Sequence, residues 1–331
     1  MATQSELSVV IITRNEATKI ATCIESVLDE IRGLYAEVLL VDSASTDGTL
    51  EIARKFPITI VRLDPSNVLS PSAGRFVGTR LAQGRLLFFV DGDMTVHEGW
   101  LREALPRFED QTLGALAGRV LFVPPGESST EGIPDSLPLG SVPGIGGTGV
   151  YRHDILQAVG SFNPYLRGEE ERELGHRIAT MGFRILRVPF PMASHFSKHR
   201  TADELEEKSL HFTGVGQILR HYGLGKISRE ILASQLHVFV PSLIVLVALA
   251  TMAFLLLAGH HTASLSLFSG IALVAGLILV RKGVHRSLRF LGFNVLTLGR
   301  GFQGFLIGLK DPEEYWKRVK FEILQDGSIG R

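Results

Sequence analysis

The sequence lacks the features that define several large classes of protein. Cys23 is the single cysteine among 331 residues, which excludes an internal disulfide and any metal site built on several cysteines. A net charge is also lacking, because 34 Lys and Arg balance 34 Asp and Glu. Without excess positive charge there is no field to attract a polyanion, so no nucleic-acid partner is expected. Hydrophobic residues make up 45% of the chain, which excludes intrinsic disorder.

One stretch near the C-terminus lacks charged residues altogether. No Asp, Glu, Lys or Arg lies between Ile231 and Val280, and its most apolar parts, 238–258 and 263–280, each approach the length that spans a bilayer as a helix. We therefore predict a hairpin of two transmembrane helices. Basic residues flank the hairpin on both sides and none lies in its turn, which predicts that both flanks face the cytoplasm. The expected location is the cytoplasmic (inner) membrane.

The segment that follows the hairpin has a different pattern. Apolar residues recur at spacings of three and four over 286–309, while Arg289, Arg300 and Gln303 occupy other positions. This pattern predicts an amphipathic helix that lies in the membrane interface, although a helix packed on a soluble core fits it too. The expected division is a cytosolic domain, 1–230, and a membrane domain with a cytosolic tail, 231–331.

The cytosolic part alternates apolar, β-branched runs with helical periodicity. Four predicted strands are Leu7–Ile12, Glu37–Asp42, Ile58–Leu63 and Arg85–Asp91. Such alternation predicts an α/β fold with a doubly wound, mainly parallel sheet, in which ligands bind at the carboxyl ends of the strands. Those ends carry Thr13, Asp42, Asp91 and Asp93. Residues 124–143 are rich in Pro, Gly and Ser and are predicted to form a long exposed loop.

Asp91 and Asp93 flank a glycine directly after a buried strand. Carboxylate oxygens suit Mg²⁺ or Mn²⁺, and a cation held there can clamp a diphosphate and stabilise it as a leaving group. A turn with two solvated carboxylates is the alternative interpretation of the same three residues.

Four segments in order along the chain resemble one family. They are Ser8–Glu16, Glu37–Thr49, Arg75 with Gly84–Asp93, and Gly168–Arg177. Together they resemble the family 2 glycosyltransferases of GT-A fold, which are inverting enzymes. The resemblance implies a nucleotide-diphosphate sugar as donor, with a UDP-sugar favoured. It also implies that Thr13 and Asp42 contact the base and ribose, that Asp91 and Asp93 form the DxD motif for metal and diphosphate, and that Arg75 lies on the nucleotide side.

The sequence departs from that family at three places. Ser43 and Ala44 replace the usual acidic residue and glycine after Asp42, Arg14 stands where an aromatic residue is common, and Phe76 stands where asparagine is usual. These departures leave the base and the sugar open.

An acidic run, Glu169–Glu171, begins a predicted helix. A sugar hydroxyl must lose its proton as it attacks, and a nearby carboxylate is the usual general base. Glu171 is our candidate, because it falls where the family's Glu-Asp motif places the catalytic aspartate, and Glu170 falls on the glutamate of that motif. The alternative is that the acidic first turn only stabilises its helix.

Three further features resemble parts of the family's site. Gly146–Arg152 resembles the small-residue strand and basic residue of the acceptor side, and a structural turn is the alternative. His195 stands where some GT-A enzymes place a histidine on the metal or diphosphate, and Arg200 is a candidate for the diphosphate. A lone histidine with no ligand role is the alternative for His195. The Gln-x-x-Arg-Trp motif of processive synthases does not follow His195, which favours transfer of one sugar.

The expected function is transfer of one sugar to a hydroxyl of a lipid-linked or cell-envelope glycan at the membrane. Two alternatives stay open: transfer to polyprenyl phosphate, which needs no base, and a catalytically silent membrane scaffold or sugar-nucleotide sensor.

Overall fold

A computed structural model describes residues 6–124, 132–196, 209–269 and 284–327. The chain divides into two compact units, a sheet unit of 1–200 with 310–331 and a helical unit of 201–309. This division differs from the expected boundary at residue 230 in two ways. The described residues 209–230 belong to the helical unit, and the residues after 309 belong to the sheet unit.

The helices and strands of the sheet unit follow one another in α/β order. Its strands are β1 Leu7–Thr13, β2 Ala36–Asp42, β3 Thr59–Leu63, β4 Leu86–Asp91, β5 Met94–Val96, β6 Leu113–Val123, β7 Ile133–Pro134, β8 Gly140–Ser141, β9 Gly149–Arg152, β10 Arg184–Phe196 and β11 Phe321–Gln325. Its helices are α1 Ile20–Glu30, α2 Thr49–Ala53, α3 Pro71–Leu81, α4 Trp100–Ala104, a 3-10 helix Leu105–Glu109, α5 His153–Val159 and α6 Glu170–Thr180.

One mixed sheet organises this unit, in the order β11-β3-β2-β1-β4-β9-β6-β10-β5. The predicted strands pair in parallel, β3 with β2, β2 with β1 and β1 with β4. The α/β prediction is therefore confirmed. Beyond β4 the sheet continues through β9, which is antiparallel to both of its neighbours. All seven residues of β1 are buried, as expected for a central strand covered on both faces.

The segment predicted as a loop, 124–143, has more structure than its composition indicates. Residues 125–131 lie outside the described residues, but β7 pairs with β6 and β8 pairs with β10. Asp135 fixes the segment, because its carboxylate accepts hydrogen bonds from Arg119, Arg187 and the Val120 amide. Composition could not reveal this anchor, since both arginines are distant from Asp135 in sequence and meet it only in the fold.

The tail after the helical unit returns to the sheet unit. Helix α11, Pro312–Arg318, leads into β11, which pairs antiparallel with β3 and covers that edge of the sheet. The Tyr315 ring lies 6.0 Å from that of Phe76 and 5.7 Å from that of Tyr165, and its hydroxyl donates to the Val68 carbonyl at 3.0 Å. These contacts join the tail to α3, to the loop that precedes α3 and to the segment that precedes α6.

The helical unit contains α7 Phe212–Tyr222, α8 Lys226–Ser234, α9 Leu236–Leu257, the helical residues 261–269 and α10 Val284–Ile307. Helices α7 and α10 pack backbone to backbone: a Cβ at Gly216 would lie 1.9 Å from the Gly301 carbonyl oxygen, and one at Gly304 would lie 1.9 Å from that of Thr213. The amphipathic segment 286–309 thus falls on α10.

The described ranges contain no helix that is both long and apolar enough to cross a membrane. The predicted two-span hairpin is therefore not supported. The first expected span, 238–258, falls on α9. Of the second, 263–280, only 263–269 lies within the described residues.

We expect Tyr315→Ala to lower the free energy of unfolding by about 3 kcal/mol, because a buried aromatic ring and its contacts are lost. Tyr315→Phe removes only one hydrogen bond and should cost about 1 kcal/mol. The control is Ile323→Ala on β11, where the side chain is 54% exposed and the change should stay within about 0.5 kcal/mol. Urea titration measures all three. Equal losses at Tyr315 and Ile323 would contradict a specific anchoring role for the tyrosine.

Candidate active site

Three strand ends meet at one edge of the sheet. In the parallel register Thr13 of β1 lies beside Asp42 of β2, and Ile12 lies beside Asp91 of β4. The glycine after Asp91 is required there, since a Cβ at Gly92 would lie 2.7 Å from the Thr13 hydroxyl oxygen. The structure therefore brings together the polar ends that the strand pattern predicts.

The pocket between β1 and β2 holds polar oxygens that lack a partner. Thr13 is 5% exposed and Asp42 is fully buried, yet Thr13 Oγ1 and Asp42 Oδ1 accept no hydrogen bond. The other carboxylate oxygen of Asp42 accepts from the Ser45 amide at 2.9 Å. Burial raises the pKa of Asp42, against the hydrogen bonds from Ser45. Because an unsatisfied buried acceptor costs about 1–3 kcal/mol, these atoms suit a ligand that brings N–H or O–H donors.

Hydrogen bonds connect the two loops that border this pocket, and the sequence did not reveal this connection. The amide of Asn15 donates to Ser45 Oγ, and the side-chain oxygen of Asn15 accepts from the Thr46 amide. The amide of Glu16 donates to Thr49 Oγ1 at 2.9 Å. Asn15 adopts a left-handed φ of 56°, a conformation that asparagine tolerates better than most residues. The sequence signals were asparagine, which favours turns, and the Ser and Thr residues within 43–49, about thirty positions away along the chain.

Asp93 and His195 form a pair across the sheet. Strand β5 pairs antiparallel with β10, which places His195 beside Met94, and His195 Nε2 lies 3.0 Å from Asp93 Oδ2. The hydrogen bond to Asp93 raises the pKa of His195 more than burial lowers it. His195 Nδ1 is buried without a partner, and the ring packs edge-on against Phe122 at 5.6 Å.

The donor groups around Asp93 suit a divalent cation that is shared with a ligand. No cluster of three or more His, Cys, Asp or Glu side chains with metal-binding geometry occurs in the part of the chain that the structure describes. Mg²⁺ is usually held by one or two carboxylates together with substrate phosphates rather than by an all-protein cage. Asp91, Asp93 and His195 therefore fit a cation whose other ligands come from a diphosphate.

Arg75 of α3 is almost wholly buried among acidic side chains. Its side chain is 3% exposed, and NH2 donates to Asp91 Oδ1 at 2.8 Å. NH1 lies 3.7 Å from a carboxylate oxygen of Glu170 and 3.7 Å from one of Glu171. The guanidinium also lies 5.6 Å from the centre of the Phe162 ring. A nucleotide-side contact was expected, whereas the structure directs this side chain toward three carboxylates.

The acidic pair begins α6 behind an unusual turn. Gly168 has φ 121° and Glu169 has φ 61°, and this left-handed turn directs the first residues of the helix toward Arg75. Burial and the negative charge of Glu170 raise the pKa of Glu171 to about 8, although Arg75 opposes the shift. The side chain keeps 24% exposure, so it can still meet a substrate. A carboxyl that titrates near the working pH is well suited to general acid–base chemistry.

A family model, Glycosyl transferase family 2, matches residues 8–184. The chain belongs to this family.

Curated relatives include other glycosyltransferases. Glycosyltransferase AglE of Haloferax volcanii is 33% identical over 124 residues, covering 36% of this chain and 40% of that protein. Pre-mycofactocin glycosyltransferase of Mycobacterium tuberculosis is 25% identical over 225 residues, covering 62% and 46%. Succinoglycan biosynthesis protein ExoA of Rhizobium meliloti is 26% identical over 203 residues, covering 55% and 61%. The matches thus span less than two thirds of the length of these relatives.

Solved structures share the fold. Mannosyltransferase PcManGT from Pyrobaculum calidifontis, in complex with GDP-Man and Mn²⁺, has a TM-score of 0.60 at 19% identity and covers 91% of this chain and 88% of that one. S. aureus TarS 1–349 in complex with UDP-GlcNAc has a TM-score of 0.52 at 20% identity and covers 70% and 73%. At these identities the likeness supports the GT-A fold and nothing finer.

The structure accounts for one departure of the chain from the family pattern and for one residue expected on the acceptor side. Ala44 takes a left-handed φ of 55° where the family usually has glycine, so the chain accepts backbone strain beside Asp42. Arg152, expected on the acceptor side, is buried and donates to the carbonyls of Leu113 and Asp110. Arg152 thus joins β9 to the start of β6. Arg200 lies outside the described residues.

We expect Gly147→Ala to destabilise the protein and disturb the candidate site, because a Cβ there would lie 1.8 Å from Arg75 NH2 and would displace the guanidinium. Such overpacking should cost about 1–3 kcal/mol of unfolding free energy, together with most of the turnover. The matched control is Gly146→Ala, one residue earlier, where a Cβ would meet nothing within 4 Å. Thermal unfolding and nucleotide-sugar turnover measure the difference. If the two variants behaved alike, Arg75 would not depend on Gly147.

Proposed function

We propose that this chain is an inverting glycosyltransferase that moves one sugar from a nucleoside-diphosphate sugar to a hydroxyl of an acceptor. The observation that carries the proposal is the arrangement around Arg75, which contacts Asp91 on one side and lies within 3.7 Å of Glu171 on the other. Carboxylates suited to a diphosphate and a carboxyl suited to proton transfer therefore line one crevice. The solved neighbours bind UDP-GlcNAc and GDP-Man, which supports a donor of this class.

Donor binding divides between two parts of the crevice. Thr13 Oγ1 and Asp42 Oδ1 would receive donors from the nucleoside, which satisfies atoms that are otherwise buried and unpaired. Asp91, Asp93 and His195 would hold Mg²⁺ or Mn²⁺ together with the diphosphate. When bound, the cation supplies positive charge that stabilises the leaving diphosphate.

Glu171 performs the proton transfer. The acceptor oxygen attacks the anomeric carbon, the bond from that carbon to the diphosphate oxygen breaks, and the hydroxyl proton passes to the Glu171 carboxylate. A single displacement inverts the anomeric centre. Only the deprotonated form of Glu171 can accept the proton, so the raised pKa makes the reaction depend on pH.

We expect Asp93→Asn to reduce turnover by about a hundredfold while the protein stays folded, because the group that meets the cation loses its charge. Release of nucleoside diphosphate from a panel of UDP- and GDP-sugars, measured against Mg²⁺ and Mn²⁺ concentration, tests this. Asp29→Asn is the control, since Asp29 is 69% exposed and pairs only with the surface residue Arg32. Normal turnover of Asp93→Asn, or full activity in chelator, would exclude the metal assignment. If the unaltered protein turned over no sugar from the panel, the silent scaffold would be favoured instead.

We expect Glu171→Gln to bind the donor normally while transfer falls by about 10²–10⁴-fold, because the shape is kept and the basic oxygen is lost. In the unaltered enzyme, transfer to a hydroxyl should fall as the pH drops through about 8, where Glu171 becomes protonated. The variant should lose that pH-dependent limb.

Glu170→Gln is the matched comparison for this prediction. An equal loss in Glu170→Gln with an active Glu171→Gln would assign the base to the neighbouring residue. If both variants transferred normally, no carboxylate base would operate, and polyprenyl phosphate would replace a hydroxyl as the acceptor.

We also propose that the acceptor is linked to a lipid and that transfer takes place at the cytoplasmic face of a membrane. Apolar side chains stand exposed along α9, including Ile244 at 62%, Phe254 at 67% and Leu257 at 90%. Exposed apolar patches of this kind mark interaction surfaces, and a lipid surface fits a patch without charge.

We therefore expect the purified protein to float with vesicles of anionic phospholipid in a density gradient. Replacing Ile244, Phe254 and Leu257 together by Ser should shift it to the unbound fraction, because the apolar contact with lipid is lost. Ser at Leu265, Phe268 and Leu224 serves as a control with the same number of exposed apolar positions. Flotation that is unchanged by the first set would contradict contact through α9.

A further inference from the structure

Arg75 has a set of contacts that its expected nucleotide role does not explain. The side chain is 3% exposed, so its charge is hidden from solvent in this structure. Three carboxylates surround it, and only Asp91 is within hydrogen-bond distance, at 2.8 Å. Glu170 and Glu171 each lie 3.7 Å away, close enough for attraction but too far for a hydrogen bond.

The hydrogen bonding of this guanidinium is incomplete. Arg75 Nε and NH1 are buried and lack a hydrogen-bond partner, and NH1 is the nitrogen that faces the glutamates. Unsatisfied buried donors are costly, and charged ones more so. A small rotation toward Glu171 would satisfy NH1 but would lengthen the bond to Asp91. The guanidinium occupies the place that a Cβ at Gly147 would take, 1.8 Å from NH2, so glycine there permits its present position.

These contacts give Arg75 two competing sets of partners. Asp91 belongs to the donor side of the crevice and Glu171 to the acceptor side. A cation that arrives with the donor competes with Arg75 for the Asp91 carboxylate, because both are positively charged groups that seek the same oxygens. Weakening of the Asp91 contact favours the contact with Glu171. Phe162, whose ring centre lies 5.6 Å from the guanidinium carbon, packs beside Arg75.

We propose that Arg75 is a positioning residue that couples the two sides: when the donor's cation occupies Asp91, Arg75 moves its hydrogen bonding from Asp91 to Glu171. This inference rests on the proposed function. It gives Arg75 a role away from the nucleotide, and it means that Glu171 is held in place for the acceptor only once the donor is bound.

A double-mutant cycle on cation binding tests the coupling without using activity. Binding of Mg²⁺ in the presence of UDP, and in parallel GDP, is measured by calorimetry at a pH above the pKa of Glu171, where the carboxylate is ionised. Glu171→Gln should weaken Mg²⁺ binding about threefold to tenfold, because Arg75 then stays on Asp91. In the Arg75→Met background the same substitution should change binding by less than about twofold, since no shared guanidinium remains.

The cycle separates this coupling from simple repulsion or attraction at a distance. If Glu171→Gln weakened Mg²⁺ binding equally in both backgrounds, the effect would be direct charge attraction and the proposal would be overturned. Arg75→Lys keeps the charge without the planar fork and should give an intermediate coupling. This second variant keeps the test valid if Arg75→Met unfolds. Arg80→Met, which removes an exposed arginine of the same helix that pairs with Glu313, should leave the cycle unchanged.

Two further outcomes are distinguishable. If Arg75→Met weakened binding of UDP or GDP more than about tenfold without any metal, Arg75 would contact the nucleotide directly and the coupling would be wrong. If the unaltered protein bound no Mg²⁺ with either nucleotide, the metal part of the proposed function would fail, and the coupling with it. Binding that persists with equal effects in both backgrounds overturns the coupling alone.

Discussion

The parallel register of β1 between β2 and β4 is the constraint on which the site depends. Because β1 pairs with both neighbours without a bulge, Thr13, Asp42 and Asp91 reach the same edge at nearly the same height. A slip of one residue would turn each side chain to the other face of the sheet. Both faces of β1 are buried, so such a slip would disrupt the packing of its apolar residues against the layers on either side. Core packing and site geometry are therefore fixed by the same hydrogen bonds.

The charges of the site balance only in part. Asp91, Glu170 and Glu171 surround a single arginine, Arg75, and Asp93 pairs with His195. Burial disfavours the charged form of a carboxylate, so the pKa of Glu171 is raised. The pKa of His195 is raised by its hydrogen bond to Asp93. In the proposed function a cation brings the missing positive charge, and the diphosphate of the donor shares that cation.

The sequence predicted those parts of the fold that follow from local pattern. Strand periodicity placed Thr13, Asp42 and Asp91 at strand ends, and parallel pairing then brings such ends together. Contacts made by distant segments had no local signal: the meeting of His195 with Asp93 needs β10 beside β5, and the place of Arg75 depends on Gly147. The return of β11 to the sheet was missed because hydropathy describes burial of side chains and not the pairing of an edge. The roles of the site residues stay predictions.

Several buried polar atoms of the sheet unit lack a hydrogen-bond partner. Thr13 Oγ1, Asp42 Oδ1, Arg75 NH1 and His195 Nδ1 are buried without partners in the crevice, and Trp100 Nε1 on α4 is a further such atom outside it. Side chains away from it, such as Asp135 and Arg152, satisfy their hydrogen bonds with backbone and ion-pair partners. A fold tolerates unsatisfied groups only where the surrounding core over-determines their positions. Here the buried strands β1 and β4 and the aromatic cluster of Phe89, Tyr151 and Phe162 supply that rigidity. The unpaired atoms of the crevice therefore suit a ligand that brings hydrogen-bonding groups of its own, and in the proposed function that ligand is the donor.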